Sequence, residues 1–353
     1  MKIENIYLEN FRNYDKQIIT LNEEKNVFFG LNGQGKTNII EAIYYFCTGK
    51  SFRSLHDKEV IKFGKDYSHI RIDFVDKKRN NTADIYITDK KSLKVNGINL
   101  EKLSEIIGMI NMVIFTPEHL NLIREGPGIR RNFLDVLISQ IKPMYFKYLM
   151  SYYKVLKQRN NVLKNKKMLS TIDVWNDKLS SYGVKICEYR NEVIEQLNKN
   201  IKKFESNNEN FLIEYIPGIK NDYTDAQNFL NQLNANLERD IEKGITLIGP
   251  HRDDFDVLLN SNSLKKYGSQ GQTRTGVLKI KLAECEIIKS ITGEEPILLL
   301  DDVLSELDEN RRNYFISNIK DRQVIITCTD RNFADDAKGS YFRVNEGKAE
   351  QIF

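Results

Sequence analysis

The chain has 353 residues, 41% hydrophobic and 10% aromatic, which is enough for roughly two or three packed units with a substantial core. Its 53 basic and 49 acidic residues nearly balance, so the net charge of +4 excludes a uniformly basic surface and confines any DNA site to a local patch. The 4 cysteines form no CxxC pair, and we find neither a secretory leader nor an apolar run long enough for a membrane span; we therefore expect a reducing cytoplasmic location and no membrane partner.

Strand patterns dominate the first part of the chain. Alternating or continuous apolar segments predict strands at residues 3–8, 17–21, 27–29, 70–75, 83–87 and 112–115. The third of these ends at a glycine-rich loop, and helical spacing of apolar residues follows from Thr37 onward. The dipeptide Asn96-Gly97 is typical of a tight hairpin, so the stretch around it is predicted to be antiparallel sheet.

A long helical pattern interrupts the strands. It runs from about residue 129 to residue 204, with a polar break near residues 165–170. Strand signals then return at residues 211–215, 245–248, 255–259, 297–300 and 324–327. The sequence therefore predicts a split α/β lobe with a mixed sheet, formed by residues 1–115 and 210–353, and a mainly helical second lobe inserted at residues 116–209.

The glycine-rich loop has the pattern of a phosphate-binding loop. Glycines let backbone N–H groups approach phosphate oxygens, and the helix that follows adds its N-terminal dipole. Its strand–loop–helix context opposes the alternative of a chance glycine-rich turn. We expect Lys36 to contact the β- and γ-phosphates of ATP and Thr37 to give a hydroxyl ligand to Mg²⁺. The predicted ATP-binding residues are Gly30, Leu31, Asn32, Gly33, Gln34, Gly35, Lys36 and Thr37.

A second motif, at residues 296–302, is a buried-type strand that ends in two carboxylates. Open α/β sheets bind ligands at the carboxyl ends of their strands. We predict that Asp301 holds Mg²⁺ through water and that Asp302 orients the water that attacks the γ-phosphate. The alternative is that these acids only cap the end of the strand.

A third motif lies shortly before this strand. Ser269 is a predicted N-cap, and Ser269, Gln270, Gly271 and Gln272 resemble the signature of ABC-type ATPases. Ser305 and Asp308 resemble the D-loop of that class. The signature in this class contacts the γ-phosphate held by the opposite subunit, so the resemblance implies a homodimer in the ATP state.

Taken together, these segments resemble the RecF family of recombination-mediator ATPases, which have SMC-like heads. The matching segments are residues 8–14, 30–37, 115–118, 126–135, 249–254, 269–272 and 298–308. The resemblance implies a P-loop ABC-type ATPase head that binds single-stranded or gapped DNA in repair, replication and the SOS response to DNA damage. It also implies RecO and RecR as partners and the loading of RecA, and it makes Arg12 a candidate contact to a nucleotide phosphate.

The sequence departs from other ABC-type ATPases in ways that bear on hydrolysis. Thr327 or Thr329 stands where transport-type members have a switch histidine, and Asp302 replaces the usual glutamate. Both changes indicate a weak, DNA-dependent ATPase that acts as a switch. The glutamine that usually links the two lobes cannot be identified, and the motif His251-Arg252-Asp253-Asp254 has no assigned chemistry at this point.

DNA contacts are expected from short basic runs, although each run alone is more often a solvated face. The runs are Lys77-Lys78-Arg79, Arg130-Arg131, Lys164-Asn165-Lys166-Lys167, Lys202-Lys203 and Lys265-Lys266.

Two alternatives for the function are a transporter ATPase subunit and a nucleolytic ATPase. The long separation between Lys36 and Asp301 and the lack of a switch histidine argue against the transporter. The short stretch after Asp308 argues against an additional metal-binding nuclease domain.

Overall fold

The structure is a computed structural model, and it describes residues 1–54, 56–77, 79–205, 209–330 and 339–352. The side chains of Leu103, Lys166 and Lys167 are not described either. Of the predicted basic runs, Lys78 and the side chains of Lys166 and Lys167 therefore lie outside the described part of the chain.

The elements follow one another in this order. The strands are β1 (Lys2–Phe11), β2 (Tyr14–Thr20), β3 (Lys25–Phe29), β4 (Ser68–Asp76), β5 (Arg79–Ile87), β6 (Lys91–Val95), β7 (Ile98–Asn99), β8 (Met112–Phe115), β9 (Phe211–Ile216), β10 (Asp254–Leu259), β11 (Asn262–Ser263), β12 (Ile297–Asp301), β13 (Val324–Cys328), β14 (Ser340–Asn345) and β15 (Lys348–Ile352). The helices are α1 (Lys36–Thr48), α2 (Pro127–Ile141), α3 (Pro143–Lys164), α4 (Ile172–Ile201), α5 (Ala226–Ala235), α6 (Leu237–Lys243), α7 (Leu264–Tyr267), α8 (Gln270–Thr292) and α9 (Glu309–Ser317).

The chain divides into two compact units, and the division differs from the predicted one. The first unit is Met1–Leu120 with Glu284–Phe353, and the second is Asn121–Ala283. The second unit is larger than the predicted insertion at residues 116–209. The reason is that β9, β10 and β11 pair with one another in a separate antiparallel sheet, and β9 packs against α4.

The first unit contains two six-stranded sheets. One has the order β2-β1-β4-β5-β6-β7 and is antiparallel, and the other has the order β15-β14-β3-β13-β12-β8. In the second sheet the strands from β14 to β8 are parallel and only β15 is antiparallel. Apolar residues of α1 and of both sheets share one buried core. This core fixes α1 where it can carry the loop that precedes it.

Local signals predicted most strands correctly, and one prediction is wrong. The Asn96-Gly97 turn joins β6 to β7, with φ of 50° and 78° at the two residues, as the hairpin prediction requires. Residues 245–248 form no strand. Side chains satisfy the backbone there instead: Thr246 N donates to Asn160 Oδ1 at 2.8 Å and Leu247 N donates to Asp240 Oδ1 at 3.0 Å.

The second unit contains the predicted helical region as three helices, α2, α3 and α4. Pro143 starts α3 directly after α2, a break that the sequence pattern did not indicate. No helix in the described residues is long and apolar enough to cross a membrane.

The motif His251-Arg252-Asp253-Asp254 organises the interior of this unit. Asp253 is buried, receives a hydrogen bond from Gly218 N at 2.6 Å and binds Arg190 Nη1 at 2.6 Å. Arg190 is fully buried, and Asp135 binds its second nitrogen at 2.7 Å. The motif therefore has a structural role, because it neutralises an arginine that the core has taken out of water.

His251 belongs to the same interior. Its Nε2 donates to Thr246 O at 2.9 Å, so its Nδ1 accepts from the Tyr152 hydroxyl at 2.7 Å. Burial lowers the pKa of His251 to about 4, so the ring is neutral at physiological pH.

We expect Asp253→Ala to lower the free energy of unfolding by about 3–5 kcal/mol, because it leaves Arg190 buried with less compensating charge. Urea unfolding followed by circular dichroism measures this, with Asp256→Ala on β10 as the control. Equal midpoints for the two variants would show that the Asp253–Arg190 pair does not hold the unit together.

Candidate nucleotide-binding site

The candidate site lies at one edge of the mixed sheet. β3, β13 and β12 are parallel neighbours, with Phe28 opposite Thr327 and Thr327 opposite Asp301. Their carboxyl ends therefore lie along the same edge, where such sheets bind ligands. The glycine-rich loop follows β3 at this edge and leads into α1.

Glycine is required at two positions of the loop. Gly30 has φ of 149°, and a Cβ there would lie 2.4 Å from Val344 O. Gly35 has φ of 116°, and a Cβ there would lie 2.8 Å from the side-chain amide of Asn13. At both positions the backbone conformation and the close neighbour exclude a larger residue.

Lys36 is folded back on the loop. Its Nζ donates to Gly30 O at 2.8 Å and to Leu31 O at 3.0 Å, and the residue is 4% exposed. The ammonium group is therefore held inside the curve of the loop, where an incoming phosphate could replace the two carbonyl oxygens as its partner.

Gln34 attaches the loop to two distant segments. Its carbonyl oxygen accepts from Asn13 Nδ2 at 2.9 Å and from Gly347 N at 3.0 Å. Its side-chain oxygen accepts from Glu346 N at 2.8 Å. The turn between β14 and β15 and the turn between β1 and β2 thus fix the loop from outside.

Asp301 is the centre of the site. Its Oδ1 accepts hydrogen bonds from the hydroxyls of Thr37 and Thr327, each at 2.8 Å. The structure thus brings together the loop residue and the strand-end acid that the sequence predicted as Mg²⁺ ligands. Burial raises the pKa of Asp301 above its ordinary range, while the hydrogen bonds from Thr327 and Thr37 act in the opposite direction.

Asp302 lies one residue beyond β12, so its direction does not follow from strand alternation. It adopts a left-handed conformation with φ of 51°, and its N–H donates to Thr327 Oγ1 at 3.0 Å. Its Oδ1 is buried and makes no hydrogen bond to the described residues. A strained residue with an unsatisfied carboxylate oxygen is typical of a functional position.

The oxygen atoms of this cluster fit Mg²⁺. The ion prefers hydroxyl and carboxylate oxygens and keeps several of its waters. Thr37 and Asp301 offer such oxygens, and the buried Oδ1 of Asp302 is available to accept a hydrogen bond from a water molecule.

Arg12 is engaged elsewhere in the structure. Its Nε donates to Glu41 Oε2 at 2.8 Å and its Nη1 donates to Glu59 O at 2.7 Å. Glu41 lies on α1 and is fully buried. Contact between Arg12 and a nucleotide phosphate therefore stays a prediction, and the observed role of Arg12 is to neutralise Glu41.

The signature-like residues start α8 in the second unit. Ser269 Oγ accepts from Gln272 N at 3.1 Å, and Gln272 Oε1 accepts from Ser269 N at 2.9 Å. This reciprocal pair is a capping box and confirms the predicted N-cap. Ser269, Gln270 and Gln272 are exposed, and Gly271 is half-buried, so the segment is accessible to another molecule.

The residues that resemble a D-loop have local roles in the first unit. Ser305 Oγ donates to Asp302 O at 2.6 Å, and Asp308 caps α9 by accepting from Arg311 N at 3.0 Å. Ser305 thereby contacts the backbone of the candidate water-orienting residue.

The sequence did not predict the roles of Asn13, Glu41 and Thr327. An acid among the apolar positions of α1 was a usable signal for Glu41, because a buried carboxylate requires a partner. Asn13 and Thr327 gave no such signal, since their partners lie far away in the sequence.

The matching family model is that of the RecF/RecN/SMC N terminal domain, over residues 2–351. Among curated relatives, the DNA replication and repair protein RecF of Clostridium perfringens (strain SM101 / Type A) is 44% identical over 360 residues, covering 99% of this chain and 100% of the relative. The protein of the same name from Clostridium botulinum (strain Okra / Type B1) is 42% identical over 364 residues and covers 100% of both chains.

Two solved structures are similar to this chain over almost its whole length. The structure of "the recombination mediator protein RecF-ATPrS in RecFOR pathway" has a TM-score of 0.93 at 36% identity and covers 99% of this chain and 98% of that one. An SMC head bound to the C-winged helix domain of ScpA has a TM-score of 0.56 at 15% identity, with coverage of 100% and 97%, which shows a shared fold alone. The predicted fold class, a P-loop ABC-type ATPase head, is confirmed.

We expect Asp301→Asn to increase the stability of the nucleotide-free protein at pH 7 by about 0.5–2 kcal/mol. A carboxyl whose pKa is raised by folding stabilises the fold below its ordinary pKa and loses that contribution as the pH rises through the folded-state pKa. The gain should therefore shrink on acidification toward about pH 4.

Urea unfolding at several pH values measures this gain, with Asp321→Asn, an exposed acid, as the control. A variant that is less stable than the wild type at pH 7 would contradict the idea that the charge of Asp301 is costly without a cation.

Proposed function

The chain belongs to the RecF family, and we propose that it acts in DNA replication and recombinational repair as an ATP-dependent DNA-binding protein. ATP binding joins two copies head to head on DNA, and slow hydrolysis separates them. The bound state supports the loading of RecA at single-stranded gaps. The full-length similarity to proteins named DNA replication and repair protein RecF supports this proposal.

One observation carries the ATP-dependent part of the proposal. Thr37 of the phosphate loop and Asp301 of β12 share a hydrogen bond of 2.8 Å across 264 positions of sequence. If the glycine-rich turn and the strand-end acid matched nucleotide-binding motifs only by chance, they would not be expected to lie in contact. Their contact forms the oxygen cluster that a nucleotide–metal site requires.

Each residue of the site has a distinct task. Lys36 exchanges its loop carbonyls for the β- and γ-phosphates, and the N–H groups of the loop bind the remaining phosphate oxygens. Thr37 and Asp301 would hold Mg²⁺, which would supply positive charge to the phosphates. Asp302 accepts a hydrogen bond from the attacking water and orients it.

The exposed signature supports a second copy as part of the site. Ser269 stands at the N-terminus of α8, where backbone N–H groups and the helix dipole favour an anion. In the proposed dimer this segment contacts the γ-phosphate held by the other copy. ATP is then buried between two proteins, and its hydrolysis controls how long they stay together.

The residues around Asp302 favour slow hydrolysis of ATP. The hydroxyl of Thr327, at the end of the neighbouring strand, is hydrogen-bonded to Asp301 and to Asp302 N, and a threonine cannot act as a base as an imidazole can. We therefore propose a weak DNA-dependent ATPase that serves as a switch.

The remaining parts of the proposal concern partners and place. RecO and RecR cooperate with the dimer on single-stranded or gapped DNA, and the complex operates in the cytoplasm, which supplies both DNA and ATP. The similar solved structure is of RecF in the RecFOR pathway, and this supports these partners.

We expect Ser269→Asp to abolish ATP-induced dimers while leaving ATP binding by the monomer within about twofold of wild type. Aspartate caps a helix as well as serine does, but its charge repels a γ-phosphate. Light scattering with and without ATP measures the dimer, and Ser181→Asp, at an exposed position of α4, is the control. An ATP-dependent dimer of Ser269→Asp would place the interface elsewhere.

We expect Asp302→Asn to bind ATP normally and to slow hydrolysis at least about 100-fold, because asparagine lacks the negative charge that orients the attacking water and can take up its proton. The dimer should then dissociate more slowly after free ATP is removed. Stopped-flow energy transfer between labelled copies measures its lifetime.

The isosteric change Asp321→Asn, at an exposed acid outside the candidate site, should leave the dimer lifetime unchanged. If Asp302→Asn dimers dissociate as fast as the wild type, hydrolysis does not set the lifetime of the dimer and Asp302 is a structural acid.

A further inference from the structure

The segment that contains α3 has basic residues but no acidic ones. No aspartate or glutamate occurs between Asp135 and Asp173, while the same stretch contains several lysines. The chain as a whole is nearly balanced, with 53 basic and 49 acidic residues, so this stretch is a strong local exception.

Four of these lysines lie on one side of α3. At 3.6 residues per turn, Lys147, Lys154, Lys157 and Lys164 fall within an arc of about 100° and extend over about 26 Å of the helix. All four are exposed, as are Met150 and Asn161 in the same arc. We call these four lysines the α3 stripe.

The charges of the α3 stripe are not neutralised within the chain. None of the four lysines forms an ion pair with a described residue. Two acids of the neighbouring α4, Glu188 and Glu192, bind Lys185 and Lys142 instead. The stripe therefore presents four positive charges to solvent.

The opposite side of α3 is fixed by a buried ionic network. Arg159 is fully buried, with Nη1 bound to Asp240 at 2.7 Å and Nε bound to Asn176 at 2.6 Å. Arg159 also donates to Thr246 Oγ1 at 2.7 Å. Because these partners hold one face of the helix inward, the stripe on the other face cannot turn away from solvent.

We propose that the α3 stripe binds the phosphate backbone of DNA. This inference rests on the proposed function and names the surface that the DNA contacts. A row of unpaired ammonium groups on a rigid helix can follow successive phosphates, and the contacts release counterions without reading bases. The absence of acids along the same segment removes the repulsion that a mixed surface would impose on a polyanion.

The test replaces all four lysines by glutamine, which has a similar helix propensity. Fluorescence anisotropy with a labelled gapped duplex measures affinity between about 50 and 200 mM salt in the presence of ATP. We expect a loss of affinity of at least about tenfold and a salt slope that is shallower by about 3 to 4, since each lost phosphate contact contributes about 0.9. A second variant with arginine at the four positions should keep both the affinity and the slope.

The matched control changes Lys90, Lys199, Lys220 and Lys320 to glutamine. These lysines are exposed, form no ion pair with described residues, and are scattered along the chain. The control removes the same net charge, so an equal loss of affinity would show that overall charge acts, and not the stripe.

Other outcomes would also overturn the proposal. An unchanged affinity and slope in the glutamine variant would show that DNA binds elsewhere, while the proposed function would stand if the wild type still binds DNA. If the glutamine variant loses ATP binding or helix content, the arginine variant decides the test. Weak DNA binding by the arginine variant would then refute the proposal that the α3 stripe binds DNA. If the wild type binds labelled poly-glutamate more tightly than gapped DNA at equal charge concentration, and the glutamine variant loses that binding, the stripe serves an acidic protein. If the wild type binds no DNA, the proposed function itself fails.

Discussion

Asp301 accepts hydrogen bonds at a single oxygen from Thr37 and Thr327, and the geometry of the nucleotide site depends on this contact. It joins the start of α1 to the ends of β12 and β13, three segments that are distant in the sequence. The carboxylate is buried, so its negative charge is poorly solvated until a cation arrives. A site built in this way is arranged before the ligand binds. The binding of ATP with a cation should offset the free-energy cost of keeping the Asp301 charge buried.

The loop above this contact is held by the two ends of the first unit. Asn13 follows β1, and Glu346 with Gly347 forms the turn between the last two strands, yet all three bind Gln34. The loop therefore acquires its shape only when both halves of the split unit have come together. This arrangement explains why an insertion as large as the second unit is tolerated, since the contacts that shape the loop do not involve the inserted residues.

Features that depend on residues nearby in the sequence were predicted more accurately than features that depend on distant residues. The strand–loop–helix context of the glycine-rich loop, the N-cap at Ser269 and the Asn96-Gly97 turn are signalled by neighbouring residues, and all three were predicted. The boundary of the second unit was not, because the strand signals at residues 211–215 and 255–259 look the same in whichever sheet they pair. The roles of Glu41 and Asp253 were also missed, since each is defined by an arginine distant in sequence.

Burying the arginines of the second unit costs desolvation free energy. Arg159 on α3 and Arg190 on α4 are both fully buried, and apolar residues of similar volume would fill the same space without desolvating a charge. An apolar face, however, tolerates small rotations of a helix, whereas a guanidinium group bound to Asp240 or Asp253 loses hydrogen bonds as soon as the helix turns. The ionic contacts therefore favour one orientation of each helix. For α3 that orientation directs four unpaired lysines outward, and so the interior polar network determines which surface is available to a polyanion.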